Sequence, residues 1–143
     1  MGFFNSAEVI GSGLSVQREV MDIIAENLAN INTLQTEEGG PYRRKIPVVS
    51  SKRDGNYSFS NILGKRMHTK VELSGIEKDD SPPIMEYEPT HPMADENGYI
   101  KKPNINQTME MVRMMDAVRA YEANVAVFNA SKAMARRALQ IGS

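Results

Sequence analysis

Residues 104–139 read NINQTMEMVRMMDAVRAYEANVAVFNASKAMARRAL, and their spacing decides the fold. Taken every three or four positions, they give Met111, Met114, Val118, Tyr121, Val125, Phe128, Lys132, Ala135 and Leu139. The steps alternate, and Lys132 alone interrupts the apolar run. This heptad seam predicts a long helix lying along another long helix. Asn104 is placed to cap it, with Gln107 three residues on to complete a capping box. Pro103 lies just outside the ladder. Arg136 and Arg137 fall in the expected last turn, where cations complement the helix dipole, and Gly142 is the stop. At ~1.5 Å per residue the helix is roughly 50 Å long.

Residues 3–32 carry a second seam: Phe3, Ala7, Ile10, Leu14, Gln17, Met21, Ile24, Leu28 and Ile31. Asn5 and Glu8 form a candidate capping box, and Phe4 with Val9 a hydrophobic staple. Gly11 and Gly13 each cost about 1 kcal/mol against Ala inside a helix. Either they allow close packing or they keep the start of the helix easy to unfold. The two seams differ in charge, net −3 over residues 1–35 and +2 over 106–143, which favours their pairing. Val9, Val16, Val20, Ile23 and Ala25 widen the first apolar stripe. Val112, Ala117, Ala120, Val127, Met134 and Ala138 widen the second. That surplus calls for helices supplied by other molecules.

Between the helices the 3.6-residue period vanishes. Gly39-Gly40-Pro41, Asp54-Gly55-Asn56, Ser81-Pro82-Pro83 and Glu96-Asn97-Gly98 are turn signals. They separate expected strands at 42–49, 57–62, 69–73 and 84–87. The predicted fold is therefore mainly α with a small β insert. Helical segments 1–35 and 104–143 pair as a coiled coil, and a β-rich module spans 36–103. Charge within the module is segregated: residues 42–70 are net +7 and residues 71–96 net −7. Head-to-tail contact between neighbouring copies is the economical use of such blocks, and the acidic block argues against a nucleic-acid partner.

The composition restricts the chemistry. Net charge is −1 and there is no cysteine, which removes disulfides, thiolate metal sites and cysteine catalysis. The two histidines, His68 and His91, are far apart in sequence, and His91 sits between Pro89 and Pro92, where it shapes a loop. Gly11-Ser12-Gly13 lacks the strand and the Gly-Lys-Ser/Thr of a phosphate loop. Asp95-Glu96-Asn97-Gly98 lacks the alternating ligands of a calcium loop. No catalytic, cofactor-binding or metal-binding residue is assigned, and no cofactor or small-molecule substrate is expected. The first residues lack the basic head and apolar core of a secretory signal.

Two motifs carry a resemblance. Glu26-Asn27-Leu28-Ala29-Asn30-Ile31-Asn32-Thr33 resembles the Asn-Leu-Ala-Asn-x-x-Thr signature of the flagellar rod and hook family. The run from Met111 through Tyr121-Glu122-Ala123-Asn124 resembles that family's C-terminal motif. Pro41–Lys45 and His91–Asn106 are similar to its short members, which belong to the proximal rod and have a small insert.

The resemblance implies a non-enzymatic structural subunit of the bacterial flagellar basal body. It implies export through the flagellar type III apparatus without a cleaved signal, and assembly in the periplasm into a helical tube that transmits torque and passes exported subunits. Implied partners are further copies, related rod proteins, the membrane ring and the rod-junction protein. On this reading Phe3, Ile10, Leu14, Met21, Ile24, Leu28, Ile31, Met111, Met114, Val118, Tyr121, Val125, Phe128 and Leu139 are assembly contacts. Asn27–Asn32 form the turn out of the first helix, Arg43, Arg44 and Lys45 make polar inter-subunit contacts, and Lys132 faces an acidic neighbour or the lumen. The alternative from another class is a coiled-coil adaptor that binds a protein or nucleic acid through its basic insert.

Overall fold

A computed structural model describes residues 3–53 and 69–141, with the backbone alone at residues 3–5, 53 and 141. Helix α1 spans Phe3–Ala29 and helix α2 spans Gln107–Ile141. Between them lie β1 (Lys45–Arg53), β2 (Thr69–Lys78), β3 (Ile84–Tyr87) and β4 (Tyr99–Lys102). The helices are ~40 and ~52 Å long at 1.5 Å per residue, and they pack on one another. Gly13 lies against Asn124, and Asn27 hydrogen-bonds Glu110. Contact therefore advances along α1 as it retreats along α2, so the pair is antiparallel.

The helix ends differ from the expected ones for local reasons. Helix α1 already runs through Asn5, so Asn5 and Glu8 do not cap its start. It ends at Ala29, short of residue 32. There the Asn30 side-chain amide donates to the Glu26 carbonyl at 2.9 Å, and the Thr33 hydroxyl donates to Asn30 Oδ1 at 3.1 Å. Side-chain bonds of this kind replace the helical ladder and turn the chain out. At α2 the cap is Asn106, not Asn104: the Met109 N–H donates to Asn106 Oδ1 at 3.1 Å. Ile105 is buried, and its N–H donates to the Pro103 carbonyl at 2.9 Å, which delays the helix. Helix α2 continues to Ile141, so Arg136 and Arg137 stand one turn before its end, and the last turn holds no base. Gly142 lies outside the described residues.

The face α2 turns inward differs from the expected seam at four of its nine positions. The buried and half-buried residues are Glu110, Met114, Ala117, Tyr121, Asn124, Phe128, Ser131 and Ala135, together with Arg113, Ala120 and Val125. Met114, Tyr121, Val125, Phe128 and Ala135 belong to the expected seam, whereas Met111, Val118, Lys132 and Leu139 are exposed. One buried hydrogen bond, Asn27 with Glu110, and the close approach of Gly13 to the Asn124 side chain fix this rotation. A buried carboxylate must keep its donors, so it takes the inner position ahead of an apolar neighbour.

The wide stripe of α1 is covered largely by the chain's own β1–β2 hairpin, not only by other molecules. Lys70 Nζ lies 2.7 Å from Glu8, and the Val71 N–H donates to Ser12 Oγ at 3.2 Å. At the other end Lys45 Nζ lies 2.5 Å from Glu26. Val16, Ile23 and Ile24 are buried. Among the described residues helix α2 has no such cover: Met109, Met111, Val112, Met115, Val127 and Met134 are exposed.

The strands form two separate antiparallel pairs. Strands β1 and β2 pair from Lys45↔Lys78 to Arg53↔Thr69, with a register shift at Val48/Val49. Strand β1 starts three residues later than the expected segment 42–49, both strands run past the expected ends at 49 and 73, and the expected strand 57–62 lies outside the described residues. Strands β3 and β4 pair from Ile84↔Lys102 to Tyr87↔Tyr99. Their connection is held by Asp95 Oδ1, which accepts from the N–H groups of Asn97 and Tyr99, both at 2.9 Å. Gly98 has φ +80°, which an L side chain rarely adopts. His91 shapes this loop: its N–H donates to the Glu88 carbonyl, and its Nδ1 accepts from the Met93 N–H at 3.1 Å.

Candidate functional site

The two helices and the insert meet at one polar clasp. Asn27 is placed there by the last turns of α1, three residues before Asn30 ends the helix. A loop then returns the chain to it. The Tyr42 N–H donates to the Thr33 carbonyl at 3.0 Å, and the Thr36 N–H to that of Gly40 at 2.9 Å. Gly39 and Gly40, with φ +89° and +77°, make the reversal. The loop delivers Tyr42, Arg44 and Lys45 onto α1 and the start of α2.

Every polar group of Asn27 is used. Its Oδ1 accepts from the Tyr42 hydroxyl at 3.0 Å and from the Lys45 N–H at 2.8 Å. Its Nδ2 donates to the Lys45 carbonyl at 2.9 Å and to Glu110 Oε2 at 3.3 Å. Glu110 Oε1 accepts from Arg44 Nε at 2.7 Å and from Arg113. Asn27 and Glu110 are each only 1% exposed. Burial alone would raise the Glu110 carboxyl. Hydrogen bonds from Arg44 and Asn27, the Arg44 charge and the Arg113 bond outweigh it and hold the group below the usual glutamate value of 4.5. Burial, with the charges of Glu26 and Glu110, pushes the Tyr42 phenol up to about 12. The result is a mechanical joint: charge-assisted bonds set the angle between α1, α2 and the insert.

The expected polar contacts are largely occupied within the chain. Arg43 pairs with Asp80 at 2.9 Å, Arg44 with Asp79 at 3.5 Å as well as Glu110, and Lys45 with Glu26. Lys52 pairs with Glu72 at 3.2 Å. The Ser81 hydroxyl and N–H, with Arg44 adding to them, hold the Asp79 carboxyl low. Arg43, Arg44 and Lys52 of the basic block thus meet Asp80, Asp79 and Glu72 of the acidic block inside one chain, while Glu88, Asp95 and Glu96 of the acidic block stay exposed. Nothing in this arrangement supports the adaptor reading.

The other predicted residues fall as follows. Ile24 is buried; Ile10, Leu14, Met21, Leu28 and Ile31 are half-buried. The Phe3 side chain lies outside the described ones. In the C-terminal motif Tyr121 and Asn124 are half-buried, whereas Glu122 and Ala123 face solvent. Glu110 lies outside the expected seam, and Tyr42 enters the sequence reading only within the Pro41–Lys45 motif and among the aromatics beside the basic residues. The available signal for Glu110 was a lone carboxylate next to the seam residue Met111, in a chain carrying the base triplet Arg43-Arg44-Lys45. Among the described residues no cluster could hold a metal ion, and no helix is long and apolar enough to cross a membrane.

Comparison with known proteins gives the frame a family. A family model described as "Flagella basal body rod protein" matches residues 8–34, which hold α1 beyond its first turn and the exit turn. One described as "Flagellar basal body rod FlgEFG protein C-terminal" matches residues 96–141, which hold β4 and α2. The flagellar basal-body rod protein FlgC of Borreliella burgdorferi is 41% identical, over 99% of this chain and 98% of its own length. The chain belongs to the FlgC family. FlgC of Bacillus subtilis is likewise 41% identical and FlgC of Salmonella typhimurium 32%, each over 99% of both chains. The two family-model matches contain Asn27 and Glu110, the partners that close the clasp.

Proposed function

We propose that this chain is a structural subunit of the proximal rod of the bacterial flagellar basal body, in the periplasm. Relatedness to FlgC proteins over nearly the whole length carries the reading. The exposed apolar row on α2 supports it, since Met111, Met115 and Val118 leave a surface that a folded monomer does not cover. Helices α1 and α2 act as a coiled pair in the wall of a helical tube, and the clasp makes each subunit a stiff unit able to carry torque. The remaining seam positions, Phe3, Ile10, Leu14, Met21, Leu28, Ile31, Tyr121, Val125, Phe128 and Leu139 among them, complete the contacts as neighbours join. Further copies, related rod proteins, the membrane ring and the rod-junction protein are the partners, reached through the flagellar type III export apparatus.

The test is complementation of a flagellated strain whose own FlgC-family gene is deleted. The wild-type chain restores rods in electron micrographs of basal bodies. A Met111→Asp/Val118→Asp variant, soluble and with unchanged helix content, does not. Absence of rods with the wild-type chain overturns the function; intact rods with the double variant overturn the role of the α2 row.

A further inference from the structure

We infer that the C-terminal end of α2 docks onto the β3–β4 hairpin of a second copy of this chain, joining copies tail to head along the helix axis. The inference rests on the assembly reading above and assigns it a specific contact. The last part of α2, residues 125–141, holds Lys132, Arg136 and Arg137 and no carboxylate. Val127, Met134 and Leu139 in the same stretch are exposed, Leu139 at 76%. With Gly13 beside Asn124, the antiparallel register sets residue 3 of α1 opposite residue 134, and α2 runs on to Ile141. This end is therefore apolar, basic and, among the described residues, lightly covered.

The complementary surface lies at the other end of α2. Pairing of Tyr87 with Tyr99 and of Met85 with Lys101 puts Met85, Tyr87, Tyr99 and Lys101 on one face of the hairpin. All four are exposed, Tyr87 at 63%. Ile100, of the opposite face, is buried, so the hairpin is anchored and turns this face outward. The two tyrosine rings meet edge-on with centroids 5.3 Å apart, which makes a firm platform. Glu88, Asp95 and Glu96 ring the tip and are exposed. Lys101 is the one base on this face, outnumbered by these three carboxylates, and Lys102 is tied to Glu86. An acidic, aromatic patch therefore stands about one α2 length, ~50 Å, from a basic, aliphatic one.

Two unlike patches of opposite charge at opposite ends make a heterologous contact, which repeats along an axis instead of closing into a dimer. Charge steers the approach, and the apolar residues supply the burial.

The chain has no cysteine, so paired cysteines report the contact directly. In the full-length chain carrying Tyr87→Cys and Leu139→Cys, mild oxidation is expected to give a ladder of disulfide-linked multimers. Either single variant should stop at dimer. Arg136→Glu/Arg137→Glu is expected to weaken self-association about tenfold by sedimentation, and adding Glu88→Lys/Glu96→Lys to restore it. Circular dichroism checks that each variant keeps its helix content. Rods that form in the complemented strain with the double-cysteine chain but yield no ladder overturn the inference and leave the proposed function standing. So does a reversal variant that the second reversal fails to rescue. A cross-link that joins this chain to a different rod protein overturns the choice of a second copy.

Discussion

Asn27 Nδ2 donates to Glu110 Oε2 across 3.3 Å, joining residues 83 positions apart with both side chains almost wholly out of water. Removing Asn27 strands the Tyr42 hydroxyl and the Lys45 N–H and carbonyl together. Each unsatisfied buried group costs about 1–3 kcal/mol. Asn27→Ala is therefore expected to lower stability by about 3 kcal/mol or more, read from the urea midpoint. A loss under about 1 kcal/mol would show that water replaces the amide.

Glu110 makes the clasp sensitive to acid. Its folded value lies below the usual 4.5, so its contribution is complete above that value and is lost as pH falls through the folded one. The wild-type urea midpoint should drop as pH is lowered from about 5 to about 3. Glu110→Gln should be less stable by about 3 kcal/mol at neutral pH, because two arginines lose their carboxylate. Its midpoint should also vary less over the acid range. Parallel curves for the two proteins would remove Glu110 from the acid response.

Tyr42 contributes to the alkaline response. Its phenol is raised from 10.0 to about 12, so the folded state holds the proton more tightly. Its contribution is present in full below 10.0 and is lost as pH rises toward about 12. Tyr42→Phe should cost about 1 kcal/mol at neutral pH, the worth of one hydrogen bond. It should also flatten the stability curve in that window, measured by helix signal against urea.

Both long helices could be read from spacing, because three- and four-residue steps have no other simple explanation. The rotation of those helices could not. Glu110, Asn124 and Ser131 look like solvent-facing residues until Asn27 and Gly13 are known to lie opposite. Periodicity ranks Met111 above Glu110, whereas the folded chain ranks donors above area. Strand β4 escaped because Lys101-Lys102 disguises its alternation, leaving Ile100 as its one buried residue. The charge blocks are plain in sequence, but only the fold shows that part of each, Arg43, Arg44 and Lys52 with Asp80, Asp79 and Glu72, pairs within the chain. The rod assignment was legible through Asn27–Thr33 and Tyr121–Asn124, neither of which composition alone would single out.

Gly98 is the next sensitive position. A Cβ there would stand 2.9 Å from Tyr87 Cε2 and 3.1 Å from Pro89 Cβ, on a backbone at φ +80°. Gly98→Ala should destabilise the β3–β4 turn by about 1–3 kcal/mol. The Tyr87–Tyr99 ring contact should loosen with it, visible as a reduced near-ultraviolet dichroism. An unchanged spectrum would mean that the turn adjusts around the methyl.

The two glycines of α1 are predicted to respond oppositely. A Cβ on Gly11 meets nothing within 4 Å, so Gly11→Ala should gain about 1 kcal/mol of helix propensity. A Cβ on Gly13 would stand 3.3 Å from Asn124 Nδ2, tighter than ordinary contact. Propensity and crowding then oppose one another, and Gly13→Ala should be near neutral. In an Asn124→Ala background the crowding vanishes, and Gly13→Ala should become stabilising by about 1 kcal/mol. The difference between the two backgrounds isolates the contact that helps fix the rotation of α1 on α2. If Gly13→Ala stabilises equally in both, the close approach of the helices at this point does not set their rotation, and the Asn27–Glu110 bond holds it alone.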